Sequence, residues 1–227
     1  MISIVIPTIN EEKNILLTIN RLNNLKNLNN PEIIIVDDNS TDNTVNIIKD
    51  FIQKKKLDIK LIRNYSNLGL GYALKLGYEN SKYKFVMFLD ADLSVKNDDI
   101  NALIESRKEN HMIVGSRYST KSKVVNVNKI KFFLSLILNK LISTIFKLSI
   151  IDISHSFRII CKNFKLSVKN YTHPGFFWEL TLDAKKKGIF LKEIPITFLE
   201  RENGVSKNKT LKMIKSVAYS LHNIFKM

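Results

Sequence analysis

A chain of 227 residues, 44% hydrophobic and 25% charged, is long enough to bury a full core, and without Gly/Ser- or Pro-rich stretches it is not divided by long disordered linkers. Its 36 Lys and Arg against 21 Asp and Glu give a formal charge of +15, which favours an anionic partner such as a membrane surface, a nucleotide or a nucleic acid. The excess is mostly Lys in a sequence crowded with Asn and Ile, so biased composition accounts for it equally well, and the single Cys161 excludes an internal disulfide or a cysteine zinc site and makes a reducing cytoplasm the default.

The first residues, Met1-Ile2-Ser3-Ile4-Val5-Ile6-Pro7, lack the basic region, long apolar run and cleavage site of a secretion signal. Ile2 to Ile6 predicts a short buried strand, and Asn10-Glu11-Glu12 precedes a helical pattern through Ile15, Ile19, Leu22 and Leu25. Glu32-Ile33-Ile34-Ile35-Val36 is a second strand that stops at Asp37-Asp38-Asn39-Ser40. Ser40-Thr41-Asp42 then caps a helix with Val45, Ile48 and Ile52 on its inner stripe. A third strand covers Ile59 to Ile62, a helix runs around Tyr72 to Tyr78 after Gly69 and Gly71, and Phe85 to Leu89 is a strand ending at Asp90-Ala91-Asp92. Alternating helices and continuously apolar strands imply an α/β fold with a mostly parallel sheet covered on both faces. Such sheets bind ligands at the carboxyl ends of their strands, where these acidic clusters fall.

Beyond Val114 the pattern changes to a long amphipathic segment, a short strand near Phe157 to Ile160, a helix after Pro174 and an added strand from Ile194 to Leu199. The apolar region Ile130 to Ile151 is interrupted by Lys131, Asn139, Lys140 and Lys147, whereas a spanning helix needs roughly 20 mostly apolar residues. On a helical wheel Ile130, Phe133, Leu134, Ile137, Leu138, Leu141, Ile145 and Leu148 form one stripe, and Lys131, Ser135, Asn139, Ser143 and Lys147 form another. That is the pattern of an interfacial helix, or of an ordinary helix packed on the sheet. Leu211, Ile214, Ala218, Leu221 and Phe225 make a similar seam near the C-terminus, suited to docking or to a dimer contact.

In Asp90-Ala91-Asp92 two carboxylates one residue apart at a strand end project to the same side of an extended backbone, where one hard cation can bridge them. Five preceding apolar residues leave stability a poor explanation for the pair. The same logic applies more weakly to Asp37 and Asp38, which also suit Asx-turn and cap chemistry. Asn67-Leu68-Gly69-Leu70-Gly71 lacks both the G-x-G-x-x-G spacing and a Walker Lys, so a dinucleotide site or P-loop is rejected and the glycines serve a tight turn. His111, His155, His173 and His222 show no metal-ligand spacing. Glu179 lies on an apolar stretch and suits a paired helix carboxylate as well as a functional acid.

Pro7-Thr8-Ile9-Asn10-Glu11, Val36 to Asp42, Asn67 to Ala73, Asp90 to Ser94 and Gly115-Ser116-Arg117-Tyr118 resemble, in this order, the motifs of family-2 glycosyltransferases. Asp152-Ile153-Ser154-His155-Ser156-Phe157-Arg158 and Arg201-Glu202-Asn203-Gly204-Val205-Ser206-Lys207 resemble D-x-T-S-G-F-R and R-x-x-G-x-S-K of the polyprenyl-phosphate (dolichol-phosphate) mannosyl- and glucosyltransferase branch. Ile9 stands where the family usually has an aromatic, and Ser156 where it has Gly.

The resemblance implies a GT-A-like α/β fold with a mostly parallel, Rossmann-like sheet and amphipathic interface helices. The whole chain, 1–227, would be one domain, with 1–120 the nucleotide-sugar and metal half and 121–227 the acceptor and membrane-interface half. Pro7, Glu11, Asp37 and Asp38 would bind the nucleotide, with Asp90 and Asp92 holding Mg²⁺ or Mn²⁺ on the diphosphate. Arg117, Ser154, Arg158, Arg201 and Lys207 would face an acceptor phosphate, and Asp92, Arg117, Arg201 and Lys207 are the expected catalytic set. Independently of the family, Arg presents a planar fork matched to phosphate and Lys a point charge.

The expected reaction is transfer of a hexose from a GDP-mannose- or UDP-glucose-type donor to a polyprenyl or dolichyl phosphate, inverting by resemblance, at the cytoplasmic face of a membrane. A lipid phosphate is already anionic and needs little general base; a saccharide hydroxyl acceptor is the alternative and would need one, for which Asp92 and Glu179 are candidates. A nucleotidyltransferase would need a basic activating loop that is absent from the sequence. A nucleic-acid-binding module would need clustered lysines with stacking aromatics, whereas these lysines are dispersed, so nucleic acid is not an expected partner.

Overall fold

The computed structural model describes residues 1–25, 28, 30–54, 58–92, 94–163, 165–172, 174–199, 219 and 222. Its elements are β1 (Ile2–Thr8), α1 (Ile15–Asn23), β2 (Glu32–Asp37), α2 (Thr44–Lys54), β3 (Ile59–Arg63), α3 (Leu70–Glu79), β4 (Phe85–Phe88), α4 (Asn97–Glu105), β5 (His111–Ser116), β6 (Lys123–Val125), α5 (Lys129–Ile145), β7 (Arg158–Cys161), α6 (Gly175–Lys186), β8 (Phe190–Pro195) and β9 (Thr197–Leu199). Among the described residues seven strands form one sheet in the order β3-β2-β1-β4-β7-β5-β8, and β6 pairs with β9 beside it.

Every pairing in the large sheet is parallel except those of β7, which runs against both β4 and β5. The expected α/β sheet is therefore present, and its one reversed strand decides where the site lies. Because Arg158 at the start of β7 pairs with Phe88 and Val114, the segment leading into β7 emerges at the end where the parallel strands finish.

The strands read as unbroken apolar runs because both faces are covered. Ile4, Ile6, Ile33, Ile35, Met87, Ile113 and Ile159 face one core with the inner sides of α1, α2 and α4, while Val5, Ile34, Val36, Val86, Phe88, Val114 and Ile160 face another with α3 and α6. The expected cap of α2 is made by Asp42, whose Oδ1 accepts from the Thr44 N–H at 3.0 Å. Its buried stripe is Thr44, Val45, Ile48 and Phe51, with Ile52 only partly covered. The strand expected over Ile194 to Leu199 is divided: β8 ends at Pro195, and β9 crosses to β6.

Helix α5 presents its apolar stripe outward. Ile130, Phe133, Leu134, Ile137, Leu141 and Ile145 are exposed, between 47% and 73%, whereas Asn139 and Ser143 are buried at 1% and 6%. Lys129, Lys131, Lys140 and Lys147 are also exposed. Ile142 is buried, and Leu138 and Leu148 pack against the core, so α5 rests on the body of the protein while six of its large apolar side chains point away from it. No described helix is long and apolar enough to cross a membrane. The C-terminal seam from Leu211 to Phe225 falls almost entirely outside the described residues.

Gly77 sets how closely α3 lies on β1 and β2: a Cβ there would stand 2.3 Å from Val5 Cγ1 and 3.2 Å from Val36 Cγ2. Overpacking of this kind costs about 1–3 kcal/mol, more than the roughly 1 kcal/mol that alanine gains in helix propensity. Gly77→Ala is expected to lower the melting temperature by a few degrees; an unchanged or higher value in a thermal scan would show that α3 has room to shift.

Candidate active site

The ends of β1 and β2 are tied to each other by side-chain bonds. Asn10, with φ of 51°, uses its Oδ1 to accept from Thr41 N–H at 2.7 Å, and its own N–H donates to Ser40 Oγ at 2.8 Å. The Glu11 N–H donates to Thr44 Oγ1 at 2.8 Å. This clamp fixes the two loops that hold Pro7, Glu11 and Asp37. Glu11 is buried and its Oε2 accepts from Asn14 Nδ2 at 2.8 Å; Pro7 is partly exposed at the end of β1.

The two neighbouring aspartates have different roles. Asp38 accepts from Asn64 Nδ2 at 2.6 Å, Leu68 N–H at 3.2 Å and Gly69 N–H at 2.8 Å, so its carboxylate braces the loop before α3. Both of its oxygens thus serve the protein's own loop. Gly69 takes a φ of 96°, and Gly71 lies so close to Tyr171 that a Cβ would stand 2.8 Å from its carbonyl oxygen, in keeping with the tight-turn reading of this segment. Asp37 is fully buried, its Oδ2 accepts from Ser40 N–H at 3.3 Å, and Arg63 Nε approaches that oxygen to 3.5 Å. Among the described residues Asp37 Oδ1 and Arg63 Nε have no hydrogen-bond partner, so the ion pair between the two side chains is the Nε group's remaining interaction. Arg63 escaped the sequence reading because only its register opposite Asp37 reveals it.

Asp90 and Asp92 lie past the end of β4, which stops at Phe88, and Ala91-Asp92 is a turn, not the extended backbone expected. Thr18 Oγ1 on α1 donates to the Ala91 carbonyl at 2.8 Å and anchors that turn. Asp90 is half-buried and accepts from Ser156 Oγ; Asp92 is buried, with Oδ1 accepting from Ser94 N–H at 3.2 Å. Ser156, noted above as a departure from the family's Gly, is therefore a direct partner of Asp90. No group of three or more His, Cys, Asp or Glu side chains suited to a metal occurs among the described residues. Two carboxylates alone suit a hard cation that takes its remaining ligands from phosphate and water.

Arg117 follows β5 and is locked to Asp152. Its Nε donates to Asp152 Oδ2 at 2.9 Å, its Nη2 to Oδ1 at 2.8 Å, and its backbone N–H to Oδ2 at 2.8 Å. Burial of Asp152 works against its charge, yet Arg117 beside it holds the carboxyl below the usual range. Burial likewise opposes the Arg117 charge, but Asp152, and more weakly Asp90, raise the guanidinium's hold on its proton. Arg117 Nη2 also donates to Ser154 Oγ at 3.0 Å, which leaves Nη1 without an acceptor among the described residues. The guanidinium carbon stands 5.0 Å from the Tyr118 ring centroid and 5.6 Å from that of Phe198. Asp152 was visible in the sequence only as a motif position; its pairing is what gives Arg117 one fixed orientation.

Arg158 differs from expectation. It is fully buried at the start of β7, where Nε donates to the His155 carbonyl at 3.0 Å, Nη1 to Thr181 Oγ1 at 3.0 Å and Nη2 to the Ile153 carbonyl at 3.2 Å, with Phe177 stacked 4.7 Å away. Burial draws its pKa down to about 9, so it stays protonated at neutral pH and supports the 153–155 loop from beneath. Glu179 is buried, and its Oε2 accepts from the Lys169 and Asn170 N–H groups at 3.0 and 3.2 Å. Arg201 and Lys207 lie outside the described residues.

The α/β sheet, with acidic turns and an oriented arginine converging at one end, shares the GT-A fold of glycosyltransferases of known structure. Residues 3–165 match the family described as Glycosyl transferase family 2, and the chain belongs to that family and is a glycosyltransferase. It is 30% identical to an uncharacterised protein of Methanocaldococcus jannaschii, covering 97% of this chain and 98% of that one. It is 28% identical to polyprenol monophosphomannose synthase of Mycolicibacterium smegmatis, over 90% of this chain and 79% of that protein. Among solved structures, glucosyl-3-phosphoglycerate synthase of Mycobacterium tuberculosis with Mn²⁺, UDP-glucose and phosphoglyceric acid shares the fold with a TM-score of 0.71 at 15% identity, covering 100% of this chain and 79% of that chain. Residues 1–349 of S. aureus TarS with UDP-GlcNAc give 0.60 at 21% identity, covering 98% of this chain and 66% of that chain.

His155 supplies a test of this loop's burial. Its Nδ1–H donates to the Gly115 carbonyl at 2.6 Å, and burial, aided by Arg117, lowers its pKa from 6.5 to about 3. The unfolded chain therefore takes up this proton well before the folded one, so the contribution of a neutral His155 is full above pH 6.5 and is lost progressively down to about 3. Asp152 acts in the same direction only at lower pH. The non-titrating His155→Gln is expected to flatten the decline in melting temperature from about pH 7 to 5, and an unchanged slope would show that His155 is accessible to protons in the folded state.

Proposed function

We propose that this glycosyltransferase moves a hexose, with inversion, from a GDP-mannose- or UDP-glucose-type donor to a polyprenyl or dolichyl phosphate while seated peripherally at the cytoplasmic face of a membrane. In this reading residues 1–120 bind donor and metal, and 121–227 serve the acceptor and the membrane. The observation that carries it is that the 152–158 segment joins Asp90, through Ser156, to Arg117, through Asp152 and Ser154, in a chain whose α5 turns six large apolar side chains outward. The similarity to a polyprenol monophosphomannose synthase supports the same acceptor class.

Asp90 and Asp92 would hold Mg²⁺ or Mn²⁺, which when bound supplies Lewis-acid neutralisation of the departing nucleoside diphosphate. Asp37, paired with Arg63 at the end of β2, together with Pro7 and Glu11 at the end of β1, would contact the nucleoside. Arg117, immobilised by Asp152, presents Nη1 to an acceptor phosphate oxygen, so the anionic nucleophile is oriented without a general base. Arg201 and Lys207 are proposed to complete the cationic cluster. Outward apolar side chains between exposed lysines suit the boundary of an anionic bilayer, where each one fully buried contributes about 1.5–3 kcal/mol.

Two experiments test this. In transfer of radiolabelled sugar from GDP-mannose, UDP-glucose or UDP-N-acetylglucosamine to polyprenyl phosphate, one donor is expected to give product that chelator and Asp92→Asn abolish. Label appearing only on saccharide acceptors would replace the lipid-phosphate reading with the hydroxyl-acceptor one. Ile137→Asp combined with Leu141→Asp, both at exposed positions, should lower co-sedimentation with anionic vesicles about tenfold at an unchanged melting temperature. Equal sedimentation of wild type and variant would exclude α5 as the docking face.

A further inference from the structure

Asn139 is the most buried polar side chain of α5, and its amide has only one workable orientation. Its Oδ1 accepts from the Ile153 N–H at 3.2 Å, and its Nδ2 donates to the Ser135 carbonyl at 2.8 Å. A flipped amide would set NH₂ against an N–H and oxygen against a carbonyl. With the orientation fixed, Nδ2 also donates to Ser154 Oγ at 3.0 Å. That oxygen already receives Nη2 of Arg117 at 3.0 Å.

A hydroxyl oxygen has two lone pairs and one hydrogen. Both lone pairs of Ser154 are taken by Asn139 and Arg117, so the remaining capacity is donation, and among the described residues its hydrogen has no protein acceptor. Ser154 Oγ lies 3.0 Å from Nη2 of Arg117, whose Nη1 has no acceptor among the described residues, and the hydroxyl and Nη1 form a pair of donors suited to two oxygens of one phosphate.

We propose that Asn139, on the inner face of α5, is a positioning residue that fixes Ser154 as a hydrogen-bond donor, so that Ser154 and Arg117 form a two-donor cradle for the acceptor phosphate. The proposal rests on the lipid-phosphate reading above and deepens it. It gives the buried polar stripe of α5 a task distinct from that of the apolar outer stripe: the outer face meets the membrane, and the inner face sets the polarity of the site. Tyr118 joins the same seam, its hydroxyl donating to Ser135 Oγ at 2.7 Å while its ring lies against Arg117.

The test uses the full chain with polyprenyl phosphate in anionic vesicles. Asn139→Asp nearly preserves size but places an acceptor against Ser154, so the hydroxyl turns its hydrogen inward. The expected result is a rise of about tenfold or more in the acceptor KM, with donor KM and vesicle binding unchanged. Asn139→Ala, which removes the amide without adding charge, should give a smaller rise and keeps the test open if the aspartate prevents folding. In a Ser154→Ala background, altering Asn139 should add nothing further to the acceptor KM, because the hydroxyl it orients is gone. Donor and acceptor parameters deteriorating together, or additive effects of the two positions, would reduce Asn139 to a packing role and overturn the proposal. A wild-type protein that transfers no sugar to any lipid phosphate would overturn the underlying reading and the cradle with it, an outcome distinct from active enzyme whose variants keep a normal acceptor KM.

Discussion

The site depends on a carboxylate that has no contact with solvent. Burying an ionised carboxylate costs several kcal/mol even after relaxation, and the charge has to be answered locally and with good geometry. Asp152 is answered by the Arg117 fork and by the Arg117 backbone N–H, so the end of β5 cannot move independently of the loop before β7. Glu193 extends the lock by accepting from the Ile151 and Asp152 N–H groups at 2.9 and 3.2 Å, which ties in β8. An arginine free to swing would be a poor phosphate ligand, because ordering it at the moment of binding offsets part of what the contact contributes. Here the ordering is done on folding, and the cation is presented with one donor outward.

Chain reversal at β7 makes this arrangement possible. In a purely parallel sheet the segment preceding a strand lies at the opposite end from the ligand site. Reversing β7 carries residues 152–157 to the carboxyl ends of β4 and β5, where Ser156 reaches Asp90 and Ser154 reaches Arg117. The same reversal puts Arg158 at the first position of the strand with its guanidinium pointing inward, and explains why a motif arginine serves as a buried brace. Its donors meet backbone carbonyls of the very loop that carries Ser154.

How much of this was legible in the sequence follows from which physical signals are local. Continuous β-branched runs and acidic strand ends are local, and they placed β1, β2, β4, Asp37, Asp90 and Asp92 correctly at one edge. Helix α4 and strand β5 were missed because Asn97-Asp98-Asp99 and His111 dilute the apolar periodicity, although Ile100, Leu103, Met112 and Val114 are all buried. The division of labour between Asp37 and Asp38 depends on the loop at Leu68 and Gly69, some thirty residues away. Arg63, Asp152 and the burial of Arg158 are likewise products of register, which no window of sequence contains. Family resemblance named Arg158 as a candidate ligand, and only the packing of α6 against β7 shows that its charge is spent inside.

Helix α5 shows the limit from the other side. Its two stripes were legible, but periodicity measures separation of faces and not direction. Direction is decided by hydrogen-bonding demand: Ser135, Asn139 and Ser143 find partners in Tyr118, Ile153, Ser154 and Ile150, and an apolar face placed inward would leave the 150–154 loop's polar groups buried without them. The polar stripe is therefore drawn in and the apolar stripe is left out. An exposed apolar face of this kind is ordinarily a liability. Here it follows from the polar demand beneath it: the 150–154 loop draws Ser135, Asn139 and Ser143 inward, and the apolar side chains opposite them are left on the outer face.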